Sequence, residues 1–417
     1  MQNAGRNVHI VAEVGTAHEG SLDKAAQLIR AAADAGADFI KFQWVYADEI
    51  LHPDTGYVAL PGGNVRLYDR FKALEMPVPF FEKLRDMTRD AGCGFICSPF
   101  GLKSLSQLLE LQPDAVKIAS PELNHFPLLK ALSAYRAERI RSGEEPVPVV
   151  LSSGVARLGD MENALACFPE FTRTDSARTD PERTESVPNS GALNLPERTE
   201  KRSERRKLPP LTLLHCVTSY PAPETEYNVR LVKNLSAVFG IPIGISDHSL
   251  DPILIPALAA ACGAVMIEKH ITLSRTAAGL DDPVALEPEQ FRAMTEFIRK
   301  MERTNTGEGI DGEKFVRELE KKYDSGIVRQ ALGTGIKRLA PAETANYGRT
   351  NRSIHLLHDM KAGSVLTPDS IAVLRTEKIL TPGLPPEFLA EVTGAVLVKD
   401  AVKGEGITWR HIVTKRN

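Results

Sequence analysis

Ile243-Gly244-Ile245-Ser246-Asp247-His248 and, farther along, Val265-Met266-Ile267-Glu268-Lys269-His270 decide the fold. Each is an apolar run of strand length that finishes in polar, ionisable residues and ends on a histidine. A strand buried on both faces of a parallel sheet reads as a nearly continuous apolar run, and an α/β barrel gathers its chemistry at the C-terminal ends of such strands. Six similar runs precede these two: Val8–Gly15, Asp38–Gln43, Gly94–Pro99, Ala115–Ser120, Val147–Ser153 and Leu211–Val217. Helical patterns follow most of them, such as Leu22–Ala35 closed by Gly36 and Phe80–Ala91 closed by Gly92. Eight strand–helix pairs in about 300 residues is the size of a (β/α)8 TIM barrel. An open doubly wound sheet is the alternative, although the first strand lacks the G-x-G-x-x-G turn of its dinucleotide-binding form.

The barrel is expected over residues 1–303, interrupted at 172–210. That stretch is rich in Arg, Thr, Glu, Ser and Pro and repeats Pro-Glu-Arg-Thr-Glu at Pro181 and Pro196. It holds too little apolar surface to offset its ordering entropy, so it reads as a disordered insertion on the non-catalytic face. Residues 304–349 read as a charged, weakly helical linker, and residues 350–417 as a compact β-rich domain with turns at Lys361-Ala362-Gly363 and Lys403-Gly404-Glu405-Gly406.

A net charge of −3 over 417 residues provides no basic field for nucleic acid or an anionic membrane. The five cysteines are an odd number and most lie in apolar runs, which fits reduced, buried thiols. Neither a basic stretch followed by an apolar core at the N-terminus nor a run of membrane-spanning length is present, so a cytoplasmic location is expected.

Nearly every strand ends in hydroxyl, lysine, carboxylate or imidazole groups. Lys41 follows Phe39-Ile40, and Lys117 sits between Val116 and Ile118. A lysine inside a buried strand needs an anion or a carboxylate partner, because its desolvation is otherwise costly. Two such lysines among several serines describe a pocket for a dianion such as a phosphate ester. His248 and His270 end neighbouring strands, where two imidazoles can share a divalent ion and leave positions for water and substrate. Each histidine alone would read as a hydrogen-bonded core residue.

Ala12-Glu13-Val14-Gly15 with His18-Glu19-Gly20, Lys41-Phe42-Gln43, Phe95-Ile96-Cys97-Ser98-Pro99-Phe100, and Lys117-Ile118-Ala119-Ser120 with Glu122 form an ordered set. Leu151-Ser152-Ser153-Gly154, Tyr220-Pro221, Ile245-Ser246-Asp247-His248 and Glu268-Lys269-His270 continue it. Together they resemble the sialic acid (N-acetylneuraminate) synthase family, and the tail from Arg352-Ser353 through Arg375 to Trp409 resembles that family's C-terminal antifreeze-like (SAF) domain. The resemblance implies condensation of phosphoenolpyruvate with an N-acyl amino sugar aldehyde to a nine-carbon 2-keto acid, with release of phosphate. It implies a divalent metal on His248 and His270, Mn2+ foremost, with Mg2+ or Co2+ as alternatives. Lys41, Ser98, Lys117, Ser120, Ser152 and Ser246 would hold phosphoenolpyruvate, with Thr218 as a further donor. Gln43, Tyr220 and Asp281 would face a sugar such as N-acetylmannosamine. Glu122 would orient or deprotonate the attacking water, with an ion pair to Lys117 or Lys41 as its plainer role, and Glu13 would assist. Arg375 would reach a partner subunit's barrel in a domain-exchanged homodimer.

The chain departs from the family at Ala17, at Leu273-Ser274-Arg275-Thr276 and at Asp281-Asp282-Pro283, all toward the sugar end. The acceptor therefore stays open among N-acetylmannosamine, its 6-phosphate and a dideoxy-diacetamido sugar. Two rivals remain: another phosphoenolpyruvate-dependent aldose condensing enzyme of the octulosonate or heptulosonate phosphate type, and a non-catalytic sugar-binding barrel.

Overall fold

Side-chain alternation along each strand sorts the barrel into an outside and an inside. The computed structural model describes residues 8–60, 63–172, 207–277, 279–304 and 312–413. In chain order its strands are β1 (His9–Gly15), β2 (Phe39–Trp44), β3 (Tyr57–Leu60), β4 (Gly63–Arg66), β5 (Gly94–Pro99), β6 (Ala115–Ile118) and β7 (Val149–Ser152). Then follow β8 (Leu211–Cys216), β9 (Ile243–Asp247) and β10 (Met266–His270). β1, β2 and β5 through β10 close into a barrel with parallel neighbours, β10 pairing back to β1. The eight expected strands are these eight, shifted at their ends by a few residues at most.

Outward residues such as Ile10, Ala12, Ile40, Phe95, Val116, Leu151, Leu213, Ile245 and Ile267 join the helices in one large core. Inward residues Val11, Phe39, Ile96, Ala115, Val150, Leu214 and Met266 form a separate plug inside the barrel. Two residues farther along the same strands the inward set turns polar: Glu13, Lys41, Ser98, Lys117, Ser152, Ser246 and Glu268, all buried. The barrel therefore has an apolar floor and a charged upper layer.

The insertion expected at 172–210 lies almost wholly outside the described residues. Two features differ from expectation. The β3–β4 hairpin, antiparallel and partly exposed, was not foreseen. The stretch read as a linker carries helices Gly312–Lys322 and Ser325–Leu332, whose Phe315, Leu319, Val328, Ala331 and Leu332 pack into the barrel's outer core. Its high charge masks an amphipathic stripe, so this part is barrel wall rather than tether. The small domain is β-rich as expected: β11 (Arg352–Leu356) pairs antiparallel with β12 (Ile371–Arg375), and β13 (Val396–Leu397) with β14 (Ile412–Val413), over a core including Ile354, Leu366, Val392 and Ile407. No helix among the described residues is long and apolar enough to cross a membrane.

Candidate active site

Charged residues from non-adjacent strands meet inside the upper layer, which is possible only because all of them face the barrel axis. Lys41 Nζ lies 2.7 Å from Glu13 Oε2 and 3.7 Å from Glu268 Oε1. Lys117 Nζ, across the barrel, lies 3.3 Å from the same Glu268 oxygen, which also accepts from Ser246 Oγ at 2.9 Å. Gln43 Nε2 donates to Glu13 Oε1 at 2.8 Å, and Lys41 reaches Ser98 Oγ at 3.5 Å. Ser152 Oγ is buried and makes no hydrogen bond here. The lysines thus have the carboxylate partners their burial requires, yet each ammonium has three donors and keeps capacity for a ligand.

Electrostatics distinguishes the two lysines. Burial works against the Lys41 cation, but the carboxylates of Glu13 and Glu268 outweigh it and its pKa is raised. Burial wins at Lys117, whose pKa is lowered despite Glu268. Burial also opposes the Glu268 carboxylate, and Lys117 with Lys41 overcomes it, pulling that carboxyl down to about 2.

His248 and His270 stand side by side at the mouth, with ring centres 5.6 Å apart. A coordinating nitrogen sits about 2.1 Å from its ion, placing each ring centre roughly 3.2 Å away, so rings sharing one ion lie at most roughly 6.4 Å apart. The pair meets that limit. His248 Nδ1 is 2.9 Å from the Val217 carbonyl, the kind of contact that fixes a ring and leaves Nε2 for a ligand. Burial lowers the His270 pKa, which favours its neutral, ligating form, whereas at His248 burial is outweighed by Cys216 and the pKa is raised to about 9. Among the described residues no group of three or more His, Cys, Asp or Glu side chains is arranged around a common ion position. Any metal here would rest on two imidazoles, with its other positions left to water and substrate.

Above this layer is a cavity of about 190 Å3 lined by Thr16, Gln43, Phe71, Leu74, Phe100 and Leu280, and by Thr218, Tyr220, Asp281 and Arg375. Tyr220 packs against His248 with ring centres 4.4 Å apart and planes tilted by 33°. Asp281 Oδ2 lies 3.9 Å from His270 Nδ1. Ser120, in the turn after β6, accepts from the Gly154 backbone N–H at 3.0 Å. A cleft of about 440 Å3 beside Asp114, Pro148 and Leu208 opens at the strands' N-terminal ends and carries none of these groups.

Two expectations need correction. Glu122 is fully buried, and its oxygens are taken by arginines of the small domain: Oε2 by Arg352 Nε at 2.6 Å, Oε1 by Arg375 Nε at 3.1 Å and Nη2 at 2.7 Å. His125 Nδ1 adds a contact at 3.3 Å. Burial opposes the Glu122 charge, but the two guanidinium groups hold its carboxyl far below the usual carboxylate range. A carboxylate so engaged is a poor general base, and its partners are neither Lys41 nor Lys117. Arg375 does line the mouth, but the barrel it reaches is its own chain's. Asn124 fixes that docking by exchanging hydrogen bonds with the Arg352 backbone at 2.9 and 3.0 Å.

Several residues at the site were not singled out. Glu268 was noted only as a strand end. Arg352 donates to the carbonyls of Glu49, Phe100 and Val373 as well as to Glu122. Tyr227 Oη accepts the His248 backbone N–H at 2.6 Å. Asp247 and Lys269 face outward, where Lys269 Nζ bonds Asp247 Oδ2 at 2.5 Å and the Ser249 carbonyl at 2.7 Å and steadies the loop carrying His248. Only these outward positions were readable in advance, because they fall out of phase with the inward residues of the same strands.

Comparison with known proteins agrees with this layout. Residues 28–310 match the NeuB family and residues 351–413 the SAF domain. The spore coat polysaccharide biosynthesis protein SpsE of Bacillus subtilis is 30% identical over 98% of this chain and 94% of its own length. An N,N'-diacetyllegionaminic acid synthase of Campylobacter jejuni is 27% identical over 92% of this chain and 95% of its own. The crystal structure of Bacillus subtilis SpsE superposes with a TM-score of 0.70 at 29% identity, covering 98% of this chain and 96% of that one. An N-acetylneuraminic acid synthetase from Leptospira borgpetersenii, solved with citrate, superposes at 0.55 with 28% identity over 77% of this chain and 93% of its own. With a family match spanning most of the barrel and a SAF domain closing over its mouth, the chain belongs to the NeuB family of nonulosonate-type synthases.

Proposed function

We propose that the chain condenses phosphoenolpyruvate with the open-chain aldehyde of a neutral N-acyl amino sugar, giving a nine-carbon 2-keto acid and free phosphate. The observation that carries this reading is the upper layer: two buried lysines and four serine-bearing loops or strands directly beneath a pair of imidazoles. Lys41, Lys117, Ser98, Ser120, Ser152 and Ser246 would hold the carboxylate and phosphate, with Thr218 as a further donor. C3 of the enol ester attacks the aldehyde carbon, a C–C bond forms, and positive charge develops at C2. Water adds at C2, and its proton passes to a carboxylate. Glu13 is better suited to that proton than Glu122, since Glu13 faces the mouth through Gln43 while Glu122 is occupied by two arginines. The C2–O bond then breaks, and phosphate leaves with the bonding pair toward the lysines. A divalent ion on His248 and His270, Mn2+ foremost, would polarise the aldehyde oxygen as a Lewis acid.

The acceptor half of the cavity supports a neutral sugar. Phe71, Leu74, Phe100 and Leu280 suit acyl methyls or a deoxy carbon, and the one arginine in the lining is already bound to Glu122. With Asp281 also present, a sugar phosphate would meet an anion, and the one lining guanidinium, Arg375, is already shared with Glu122. This lining favours N-acetylmannosamine or a dideoxy-diacetamido sugar over the 6-phosphate. Phosphate release from phosphoenolpyruvate with Mn2+ is expected with one of the neutral amino sugars. Release only with phosphorylated aldoses would support the octulosonate- or heptulosonate-type rival, and no release from folded protein with any acceptor would leave the sugar-binding barrel.

A further inference from the structure

Glu343 lies in the segment that joins the barrel to the small domain, and it is 1% exposed. Its Oε1 accepts two backbone N–H groups from two different barrel loops: Val155, after β7, at 2.7 Å and Thr218, after β8, at 2.8 Å. Oε2 accepts the Ala340 N–H at 3.2 Å, which closes the short turn that carries the glutamate. The field of Lys337, another residue of this segment, reaches the same carboxylate.

Two features make the contact more than a cap. Val155 has a φ of +44°, a left-handed conformation that a β-branched residue rarely adopts. It is held from both sides, its N–H by Glu343 and its carbonyl by Asn351 Nδ2 at 3.1 Å. The residue before it, Gly154, donates its N–H to Ser120 Oγ at 3.0 Å, and a Cβ there would stand 1.9 Å from Thr218 Oγ1 and 2.8 Å from Ser120 Oγ. One carboxylate oxygen therefore sets the spacing of the β7 and β8 loops, and Gly154 of the first, with no room for a side chain, meets the hydroxyls of Thr218 in the second and of Ser120 in the β6 turn. Neither loop can shift without breaking a hydrogen bond to a buried charge.

We propose that Glu343 is a positioning residue for the phosphoenolpyruvate end of the site: it holds the β7 and β8 loops in the register that presents Thr218 and, through the Gly154 N–H, Ser120 of the β6 turn to the anion. The inference rests on the substrate reading above. It also gives the joining segment a task in the site and makes anion binding depend on how that segment sits.

The test uses the full chain with Mn2+ and compares wild type, Glu343→Ala and Glu343→Gln. Phosphoenolpyruvate binding is measured by calorimetry, and KM is measured separately for phosphoenolpyruvate and for the amino sugar. Glu343→Ala is expected to weaken phosphoenolpyruvate binding and raise its KM by about ten-fold or more, with the sugar KM changing by no more than about two-fold. Glu343→Gln keeps an acceptor oxygen for Val155 and Thr218 and is expected to recover most of the loss, to within about three-fold. A folded Glu343→Ala protein that binds phosphoenolpyruvate like wild type overturns the proposal, as does an equal rise in both KM values. Failure of both variants to fold would make Glu343 a folding residue and would also overturn it. Wild type that binds no phosphoenolpyruvate at all would instead remove the substrate reading on which the proposal stands.

Discussion

Two clusters of buried charge lie near the barrel mouth, and they are built to opposite ends. Inside the barrel, Lys41 and Lys117 face Glu13 and Glu268 with contacts from 2.7 to 3.7 Å, and the neighbouring Ser152 hydroxyl has no partner. Under the small domain, Arg352 and Arg375 close on Glu122 with contacts of 2.6 to 3.1 Å, and Arg352 spends its remaining donors on backbone carbonyls. The first cluster is balanced but unsaturated, which is what a site needs in order to accept a charged ligand. In the second, both carboxylate oxygens are taken by guanidinium groups and Arg352 is spent on backbone carbonyls, which is what a clasp needs. Burial and charge alone would have marked both as catalytic. The count of unused hydrogen-bonding positions separates them.

Breaking the clasp should have the largest effect on the fold. Glu122→Ala leaves two buried guanidinium groups without their anion and is expected to cost roughly 3–5 kcal/mol, read by denaturant unfolding, with freer protease access at the edge of the small domain. Breaking the site should instead spare the fold and remove turnover. Lys117→Met is expected to lower kcat/KM for phosphoenolpyruvate by ~100-fold to ~1000-fold, about 3–4 kcal/mol of transition-state stabilisation, with little change in Tm. His270→Ala is expected to lower turnover by at least about 100-fold and to abolish Mn2+ binding detected by calorimetry. The sharpest separation comes from Glu122→Gln. Loss of a general base would cost ~100-fold to ~10,000-fold, whereas a clasp residue that still folds should retain turnover within about ten-fold.

The clasp also predicts an acid-side loss of stability. Glu122 is held below its ordinary value of 4.5 by the arginines against the cost of burial. His125 is lowered from 6.5 to about 4, first by burial and then by Arg352. Both groups bind protons more readily in the unfolded chain, so their contribution is full above the unfolded values and fades as pH falls. Stability should begin to drop below about pH 6.5 through His125 and more steeply below about 4.5 through Glu122, with a shallower acid limb in Glu122→Gln. Denaturant midpoints at a series of pH values read this directly. The smallest expected effect is that of Arg275→Ala. Its guanidinium bonds the Ala285 and Leu250 carbonyls rather than the cavity, so sugar KM should change by less than about two-fold.

Much of this was legible beforehand, and the limits follow from distance along the chain. The eight strands were readable because parallel strands buried on both faces leave apolar runs of the right length. The upper layer was readable because a lysine in such a run, at Lys41 or Lys117, has to be neutralised by something. The identity of the neutraliser was not, since Glu268 reaches Lys117 across the barrel from 151 residues away. The clasp escaped notice for the same reason: Arg352 and Arg375 lie 230 and 253 residues from Glu122. A carboxylate at a strand end looks the same in sequence whether it faces the mouth, like Glu13, or a second domain, like Glu122. The helices at 312–332 were hidden by their charge, and Glu343 by a surrounding segment with no strand or helix pattern to place it.

The unsaturated layer is proposed to bind phosphoenolpyruvate and to release its phosphate by cleavage at carbon. Turnover of phosphoenolpyruvate labelled with heavy oxygen at the C–O–P bridge, with Mn2+ and the most active neutral amino sugar, tests it directly. The label is expected to leave with inorganic phosphate in wild type, and Lys117→Met, folded and stable, to form almost none. Label retained in the carbon product, or phosphate release undiminished in Lys117→Met, would contradict it.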